Sequence, residues 1–295
     1  MVLAVFSSPR LLATDPSKEL PNARIDDIAA NYTSFTVRNC PNSCDGEVLS
    51  ISVRDTGAQK ELKNFKKGDH VSVQVAPDNN QLILQTINIR ALPVSSGARM
   101  LVLGIVAVAY LLLTSILTGF HPFRLVIGQD RRYSNSKVQI ALWFSVVIIT
   151  YIAAIYLRAA EAGREFLGGV NIPQNLLLLS GMSALTFSGA KGITTSKVQG
   201  AVSAGVPNPK PPATAPSLWN LVQDDGGLFD IGDFQMLIVT LLAVGTYLVL
   251  AFNFLGSTEM RRVVELPNVD TTILATFGLG QGAYLAKKAA GNLGQ

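Results

Sequence analysis

The run MLVLGIVAVAYLLLTSILTGF, residues Met100 to Phe120, decides the class of this fold. No charged residue lies between Arg99 and Arg124, and the run is long enough to cross the roughly 30 Å hydrocarbon core of a bilayer as one helix. The whole chain is 48% hydrophobic and 15% charged, whereas soluble domains average about 25% charged residues. The sequence therefore predicts an integral membrane protein whose first transmembrane helix lies at residues 99–120.

Four later apolar runs add further spans. Two of them, Val138 to Leu157 and Phe234 to Gly256, are uncharged and apolar on every face, which is unusual for a buried helix of a soluble protein. The other two, Ile172 to Ala190 and Thr271 to Ala286, are shorter and richer in small and hydroxyl residues. The expected fold class is a membrane all-α protein with about five transmembrane helices and a small N-terminal all-β domain.

The second half of the chain contains an internal repeat. Gln139 aligns with Gln235 and Tyr151 with Tyr247, in both cases 96 residues apart (235 − 139 = 96). A polar link with a proline, NIPQN or ELPNV, follows each long run and leads into a second run with similar small residues. Because each copy has two crossings, both copies face the same way, which defines a parallel repeat. We predict repeat A at residues 138–190 and repeat B at residues 233–290.

The stretch GLGQGAYLAKK, Gly278 to Lys288, raises the question of a phosphate-binding loop. Such a loop needs glycines where the backbone approaches the phosphates, but the aligned stretch GMSALTFSGAK has Ser183 and Leu185 at two of the three positions. Small residues at helical spacing instead allow close helix packing in lipid. The predicted helix-packing residues are Gly181, Ala184, Ser188, Gly189, Gly278, Gly282 and Ala286.

Residues 191–232 are predicted to link the two repeats. The segment begins as a Ser/Gly/Pro/Ala-rich linker with little capacity to form a core. It continues with SLWNLV, which can lie at the membrane interface as a short helix anchored by Trp219. We interpret the acids that follow as a solvated turn before a helix, with a cation site as the alternative, because their spacing does not match a calcium loop. These acids are Asp224, Asp225, Asp230 and Asp233.

Residues 24–92 have the pattern of a small antiparallel β-domain, preceded by an N-terminal segment at residues 1–23. Stretches such as SFTVR, GEVLSISVR and HVSVQVAP alternate polar and apolar residues, and DTG, KKGD and PDNN mark turns between them. The pattern fits an OB-like barrel or a sandwich. Cys40 and Cys44, the two cysteines of the chain, can form a disulfide if the domain is outside the cytoplasm and are free thiols if it is inside.

The basic residues predict the orientation in the membrane. If the first span runs from outside to inside, the inner loops contain most of the lysines and arginines that flank the spans, which agrees with the positive-inside rule. This orientation places the β-domain outside the cytoplasm. The stretch MVLAVFSSPRLLA, however, lacks the basic start and the apolar length of a signal peptide. The reverse topology is therefore kept as an alternative.

The sequence contains no signature of a chemical reaction. No Asp, Glu, Lys, Arg or His lies at the centre of a predicted span, and no nucleophile elbow, metal-protease helix or Walker motif occurs. We therefore expect no enzyme activity, no catalytic residues, no cofactor and no metal site. Nucleic acid is not an expected partner, because the basic residues cluster where helices leave the membrane.

Uncharged polar residues do occur within the predicted spans. Side chains of this kind either line an aqueous path or form hydrogen bonds between helices. They are Ser145, Thr150, Tyr151, Ser183, Thr186, Thr240, Thr246, Tyr247, Asn253, Thr276 and Gln281.

Four stretches of the helical region resemble a group of uncharacterised bacterial membrane proteins. They are FRLVIGQDRRYSNSKVQIALWF, NIPQNLLLLSGMSALTFSGAK, GDFQMLIVTLLAVGTYL and ELPNVDTTILATFGLGQGAYLAKK, within residues 123–290. That group has similar blocks of the form IGxDxRYSxSKxQ and LPxxxxxLLxLxGxSxxxYLxxK. The resemblance implies an architecture of paired two-helix repeats in a bacterial inner membrane, and it implies no activity, cofactor or catalytic residue.

Two functions are consistent with these features. The first is a homo-oligomeric membrane assembly that acts as a passive ion channel or pore, because the spans contain uncharged polar residues and lack coupling groups. The second is a membrane-anchored scaffold, sensor or accessory subunit whose β-domain binds a partner. The expected partners are the lipid bilayer and either further copies of this chain or the subunits of a larger membrane complex.

Overall fold

A computed structural model of the chain describes residues 17–40, 44–78, 81–128, 130–205, 213–223 and 227–290. The chain divides into two compact units. The first consists of Met1–Leu92 with Glu259–Arg262, and the second consists of Pro93–Thr258 with Val263–Gln295. Most of the predicted N-terminal segment, and Asp224 and Asp225 of the predicted acidic turn, lie outside the described residues.

The first unit is a five-stranded closed barrel. Its strands follow the order β1-β2-β3-β5-β4 around the barrel, and a short helix, α1, connects β3 to β4. This arrangement is OB-like rather than a sandwich. The elements are β1 (Lys18–Ile28), β2 (Ser34–Asn39), β3 (Val48–Ser52), α1 (Thr56–Leu62), β4 (His70–Asp78) and β5 (Gln81–Ile89).

Alternating residues of the barrel strands form its core. Ile25, Phe35, Val37, Ile51 and Val73 are almost completely buried, and all but Ile25 come from the apolar positions of a predicted alternating stretch. Because successive side chains of a strand point to opposite faces, the polar residues between them face outward. The period-2 pattern therefore places the core of this unit correctly.

Two details of the β-domain prediction were wrong. The DTG stretch is not a simple turn, because the Asp55 carboxylate accepts a hydrogen bond from Ala58 N at 2.8 Å and caps α1. The domain is also not purely antiparallel, because β3 pairs with β5 in parallel, with Ile51 opposite Leu82. A parallel pair needs a long crossover, which α1 and β4 supply.

The boundaries of the barrel unit also differ from residues 24–92. Strand β1 begins at Lys18. Glu259–Arg262, distant in sequence, belongs to the same unit: Met260 accepts a hydrogen bond from His70 N and donates one to Arg90 O, both at 2.9 Å. These four residues carry no strand pattern of their own, so their place in the barrel unit could not be predicted from local sequence.

The second unit contains five long helices and short strands. The long helices are α2 (Ser96–Leu117), α3 (Asn135–Leu157), α4 (Gln174–Ser203), α5 (Ile231–Phe254) and α6 (Thr271–Ala290). A π-helical turn, Arg158–Ala162, extends α3. The unit's short strands β7 (Val170–Asn171) and β9 (Val264–Glu265) pair in parallel. Two further strands, β6 (Ala91–Pro93) and β8 (Ser257–Glu259), each have residues in both units.

Four of these helices are long and apolar enough to cross a membrane, namely α2, α3 with its π-helical turn, α4 and α5. This agrees with a membrane-spanning protein. The fifth predicted span is a helix, α6, but it is not among the four. The sequence of α6 explains this, since it combines several glycines with Lys287 and Lys288 near its end.

The predicted linker at residues 191–232 was wrong in its first part. Helix α4 continues past Ala190 and ends at Ser203, and Gly205 follows with φ +66°. A glycine in the left-handed region is a common helix end. The helix extends this far because the first proline of the segment is Pro207, and the small residues before it permit a helix.

The core of the helical unit lies between α3, α4, α5 and α6. The ring of Trp143 lies 6.2 Å from that of Tyr247 and 6.0 Å from that of Phe277, measured between centroids. Leu176 and Leu179 of α4 are also fully buried. Helix α2 differs, because Val102 is its only buried residue. Its exposed apolar surface is what a helix presents to lipid.

Candidate functional site

A pocket at one end of the barrel is the first candidate site. It is a cavity of about 280 Å³, open to solvent, between the β1–β2 loop and the segment that follows α1. We call it the barrel pocket. It is lined by Asp27, Ile28, Ala29, Ala30, Tyr32, Phe65, Lys66 and Lys67.

The β1–β2 loop holds Tyr32 at the rim of this pocket. Tyr32 has φ +59°, and its N–H donates to Ala29 O at 2.8 Å, which closes a tight turn. Thr33 supports the same turn because its hydroxyl donates to Asn31 Oδ1 at 2.8 Å. Lys63 Nζ lies 5.6 Å from the centre of the Tyr32 ring, a cation–π distance. The ring is therefore held beside a positive charge.

The segment after α1 forms the other wall. Phe65 is only 9% exposed, and the Arg261 guanidinium lies 5.6 Å from the centre of its ring. Lys66 N donates to the Asp69 carboxylate at 2.8 Å, which fixes the turn before Gly68. The Lys66 and Lys67 side chains are exposed. The wall thus combines a nearly buried ring with two exposed cations.

The described lining of the barrel pocket shows no reactive group. Two aromatic rings offer apolar contact and Lys66 and Lys67 offer positive charge, with Asp27 as the one acid of the lining. A ligand with an apolar part and an anionic part matches these groups. Among the described residues, no three His, Cys, Asp or Glu side chains come together in a way that could hold a metal ion.

The outward face of β2 and β3 differs from a nucleic-acid-binding surface. The outward side chains of β2 include Ser34, Thr36 and Arg38, and this strand pair presents no aromatic ring for base stacking. Arg38 Nε donates to Asp26 Oδ2 at 3.0 Å, and Arg24 Nη2 lies 3.2 Å from Asp26 Oδ1. That nucleic acid is not a partner stays a prediction.

The same arginines change the acidity of Asp26. Burial tends to raise the pKa of the Asp26 carboxyl, but the hydrogen bonds and charges of Arg38 and Arg24 outweigh it and leave the pKa below its ordinary value. Both arginines are therefore engaged with a carboxylate on this face of the barrel.

A second candidate lies inside the helical unit. Gln281 Nε2 of α6 donates to Gln139 Oε1 of α3 at 2.6 Å, and Gln139 Nε2 donates to Met236 O of α5 at 3.4 Å. We call Gln139, Gln281 and Thr240 the polar layer; all three are at most 4% exposed. Gln281 Oε1 has no hydrogen-bond partner among the described residues. An unpaired buried acceptor is costly and is often satisfied by water.

The start of α5 and the end of α6 carry opposite charges. Asp230 caps α5, since its carboxylate accepts from Gly232 N at 2.8 Å and from Asp233 N at 3.2 Å. The Lys287 ammonium of α6 pairs with the same carboxylate. Burial tends to raise the pKa of Asp230, but the hydrogen bonds from Lys287, Asp233 and Gly232 and the Lys287 charge outweigh it and leave the pKa below its ordinary value.

Asp233 and Asn135 connect the starts of α5 and α3. Asn135 Nδ2 donates to Asp233 O at 2.8 Å and approaches Asp233 Oδ1 at 3.3 Å. The described acids of the predicted acidic turn therefore serve helix capping and interhelical bonding. Asp233 lies in the first turn of α5, and Asp230 occupies the cap position.

The uncharged polar residues of the spans divide by exposure. Thr150, Ser183, Thr186, Thr240, Tyr247 and Gln281 are buried; Ser145 and Tyr151 are half-buried; Thr246, Asn253 and Thr276 are exposed. Several hydroxyls donate to the carbonyl four residues earlier: Ser183 to Leu179 O at 3.0 Å, and Thr240 to Met236 O at 2.8 Å. A hydroxyl satisfied by its own helix has less need of water.

The predicted helix-packing residues also divide into two groups. A Cβ placed on Gly278 would meet Met182 Sδ at 3.3 Å, and one on Gly189 would meet Leu285 Cδ2 at 3.3 Å, so these two glycines let α4 and α6 approach. A Cβ on Gly181 or Gly282 would meet nothing within 4 Å. Ala184 is half-buried, and Ser188 and Ala286 are exposed. For the exposed members, packing against another chain stays a prediction.

The two predicted disulfide partners are joined. Cys40 and Cys44 form a disulfide beside β2. No sequence pattern predicted Tyr32, Phe65, Lys66 or Lys67 as a site, because these residues lie in two separate turns. The aromatic residues in the turn stretches NYT and KNFKKGD were the only available signal.

Comparison with protein-family models found no match, and comparisons with curated proteins and with solved structures also found none.

Proposed function

We propose that the protein is a membrane-anchored binding module, in which the helical unit holds the protein in the bilayer and the barrel binds a partner through the barrel pocket. The observation that carries this proposal is the pocket, where two aromatic rings and two exposed lysines surround about 280 Å³ of space. A suitable partner presents an apolar side chain next to a carboxylate, as an acidic segment of another protein does.

A charge-reversal experiment tests this function in the full chain. Wild type, Tyr32→Ala/Lys66→Glu/Lys67→Glu and the control Lys18→Glu/Lys60→Glu are embedded in nanodiscs and used to capture proteins from host membranes. The control changes two exposed barrel lysines outside the pocket. We expect a partner that is retained by wild type and control, and is reduced roughly tenfold or more by the pocket variant.

Equal retention of every captured protein by the pocket variant and by wild type would contradict the proposal. Absence of any retained partner would contradict it as well. Circular dichroism of all three proteins shows whether the pocket variant keeps its barrel, so that loss of binding is not confused with loss of fold.

We further propose that the helical unit contains two related repeats, each longer than the sequence alignment indicated. Several correspondences at a spacing of 96 residues support this. Pro122–Leu125 and Leu218–Leu221 are both 3-10 turns (218 − 122 = 96). Isolated β-bridges follow in both copies, Ile127 with Tyr133 and Gln223 with Phe229. Repeat B then begins within the segment that was predicted to be the linker.

Hydrogen bonds and backbone angles add to this support. Ser134 N donates to Val126 O at 2.9 Å, and Asp230 N donates to Val222 O at 2.8 Å. Arg131 has φ +58° and Gly227 has φ +86°, so the same loop position is left-handed in both copies (227 − 131 = 96). The parallel pairing of β7 with β9 joins the two polar links.

The membrane topology proposed here has five spans, with α6 as the fifth, and the barrel outside the cytoplasm of a bacterial inner membrane. The Cys40–Cys44 disulfide supports an outside barrel, because disulfides persist in oxidising compartments. Assembly into a homo-oligomer belongs to the same proposal. Gly181, Ser188, Gly282 and Ala286 leave an exposed small-residue surface for a second copy.

A passive channel is the second candidate function. The polar layer favours it, because Gln281 Oε1 is buried without a partner and a chain of water would satisfy it. The hydroxyls that bond to their own helix weigh against it. Conductance of the purified protein in planar bilayers tests this function. Conductance in wild type that is abolished in Gln139→Leu/Gln281→Leu supports a channel. Absence of conductance in wild type rules the channel out.

A further inference from the structure

Two loops that share a 3-10 turn and an antiparallel bridge precede α3 and α5. Loop 1 comprises the described residues 118–128 and 130–134, and loop 2 comprises the described residues 213–223 and 227–230. Loop 1 follows directly on α2, and each loop ends where a helix long and apolar enough to cross a membrane begins. Both loops therefore lie at the end of membrane-crossing helices.

Large apolar side chains of both loops are exposed. Phe123 of loop 1 is 67% exposed and Trp219 of loop 2 is 70% exposed, and both belong to the 3-10 turns. Phe120 and Phe229 are also exposed. Exposed rings in water are unfavourable, whereas aromatic rings at the end of a membrane-crossing helix gain from the headgroup region.

The charges of the two loops differ. Loop 1 contains three arginines, of which Arg124 and Arg131 are exposed and Arg132 is half-buried, and Asp130 is the one acid among its described residues. Residues 213–230 contain no lysine or arginine. Cations next to the membrane surface attract anionic lipid headgroups, and uncharged or acidic segments do not.

We propose that both loops lie in the membrane interface and that loop 1 alone selects anionic lipids. The rings of Phe123 and Trp219 occupy the boundary between headgroups and acyl chains. Arg124 and Arg131 bind the headgroup phosphates of anionic lipids. The repeat thus has one lipid-selective copy and one neutral copy. This inference rests on the proposed membrane placement of the helices.

Tryptophan quenching tests the depth of each loop in the full chain. The chain has two tryptophans, and Trp143 is fully buried. The difference in quenched tryptophan fluorescence between wild type and Trp219→Phe therefore reports on loop 2. The difference in quenched fluorescence between Trp219→Phe/Phe123→Trp and Trp219→Phe reports on loop 1. Neither difference requires a change in the helical core.

We expect lipids brominated close to the headgroup to quench both reporters more than lipids brominated near the chain end, and aqueous iodide to quench them little. Strong quenching by iodide with little quenching by brominated lipid would overturn the interfacial placement. Val108→Trp in the Trp219→Phe background is the reference, because Val108 is an exposed residue in the middle of α2.

This reference separates the two proposals. If the Val108→Trp reporter is not quenched by deeply brominated lipid, the membrane placement of the helices fails. If that reporter is quenched but the loop reporters are not, only the inference about the loops fails.

Lipid selectivity is measured with the same reporters. We expect the association constant at the loop 1 reporter to be at least about fivefold higher for brominated phosphatidylglycerol than for brominated phosphatidylcholine. Arg124→Gln/Arg131→Gln should bring the ratio of the two constants close to one. The matched control Lys18→Gln/Lys60→Gln removes two exposed barrel cations and should leave the ratio unchanged. A ratio near one in wild type, or an equal preference at loop 2, would overturn the lipid selectivity.

Discussion

The stability of the turn at Gly68 in the barrel unit depends on a backbone angle that favours glycine. Its φ is +92°, and a Cβ there would lie 2.5 Å from Arg262 Nε. The Arg262 side chain can move, but a side chain in the left-handed region still costs about 1–2 kcal/mol. We expect Gly68→Ala to lower the free energy of barrel unfolding by that amount, measured by hydrogen exchange of the barrel strands.

Gly104→Ala is the matched control for this measurement. Gly104 lies inside α2, and a Cβ there would meet nothing within 4 Å. Exchange of the barrel strands should be unchanged in the control. Equal protection in Gly68→Ala and wild type would show that the turn relaxes without cost.

Asp230 gives a prediction that depends on pH. Its pKa is lower in the folded chain than its ordinary value, so the stabilisation it contributes is present above the unfolded pKa and is lost as pH falls through the folded pKa. We expect Asp230→Ala to destabilise the helical unit by about 1 kcal/mol at neutral pH through loss of the α5 cap. Thermal unfolding measures the difference.

The difference in stability between wild type and Asp230→Ala should shrink as pH falls below about 4, where the Asp230 carboxylate of the unfolded chain begins to take up a proton, and should be lost once the folded carboxylate is protonated as well. Lys287→Ala is the companion variant, because it removes the ion pair and leaves the cap. A difference that stays constant down to low pH would mean that the carboxylate charge is not what stabilises this helix end.

The seam between α4 and α6 gives a prediction for a pair of elements. Gly278 lies against Met182 of α4, whereas Gly282, one turn later, has open space beside it. We expect Gly278→Leu to destabilise the helical unit by about 1–3 kcal/mol, because the added side chain overpacks the seam. Gly282→Leu should leave unfolding unchanged. Unfolding in mixed detergent measures both variants.

Gly282→Leu also tests assembly, because the proposed contact with a second copy includes Gly282. If the oligomer forms through this surface, the variant lowers the particle mass in native membrane particles without unfolding the chain. Equal destabilisation by both glycine variants would contradict the assignment of Gly278 to the seam and of Gly282 to the outer surface.

Element boundaries show why local sequence predicts less than packing. The apolar runs predicted α2, α3 and α5 to within a few residues, since their length and hydropathy are properties of the chain alone. The extension of α4 to Ser203 and the helix α1 were not predicted. The local signals for both are weak. The end of α4 is marked by a run of small residues before Gly205, and the start of α1 is marked by the capping residue Asp55.

The membrane topology is a property of the whole molecule and is tested by labelling. In a Cys40→Ser/Cys44→Ser background, single cysteines replace the exposed residues Leu167, Ser257, Thr214 and Ala289. With five spans and an outside barrel, an impermeant maleimide labels the positions at Leu167 and Ser257 in intact cells. The positions at Thr214 and Ala289 react only after permeabilisation.

The labelling pattern distinguishes the alternatives directly. If α6 does not cross the membrane, the position at Ala289 reacts together with that at Ser257. If the topology is reversed, the positions at Thr214 and Ala289 are labelled in intact cells, and those at Leu167 and Ser257 react only after permeabilisation. The Cys-free background serves as the blank, and either alternative pattern would remove the corresponding part of the proposal.

The sequence by itself determined the membrane character, the β-domain and the existence of long helices, because hydropathy and periodicity depend only on neighbouring residues. Tertiary structure alone decided that the β-domain is a closed barrel, that Glu259–Arg262 joins it, and that Tyr32 and Phe65 share a pocket. It also decided that Gln139 meets Gln281. These features require contacts between residues far apart in the chain, and no local pattern records such contacts.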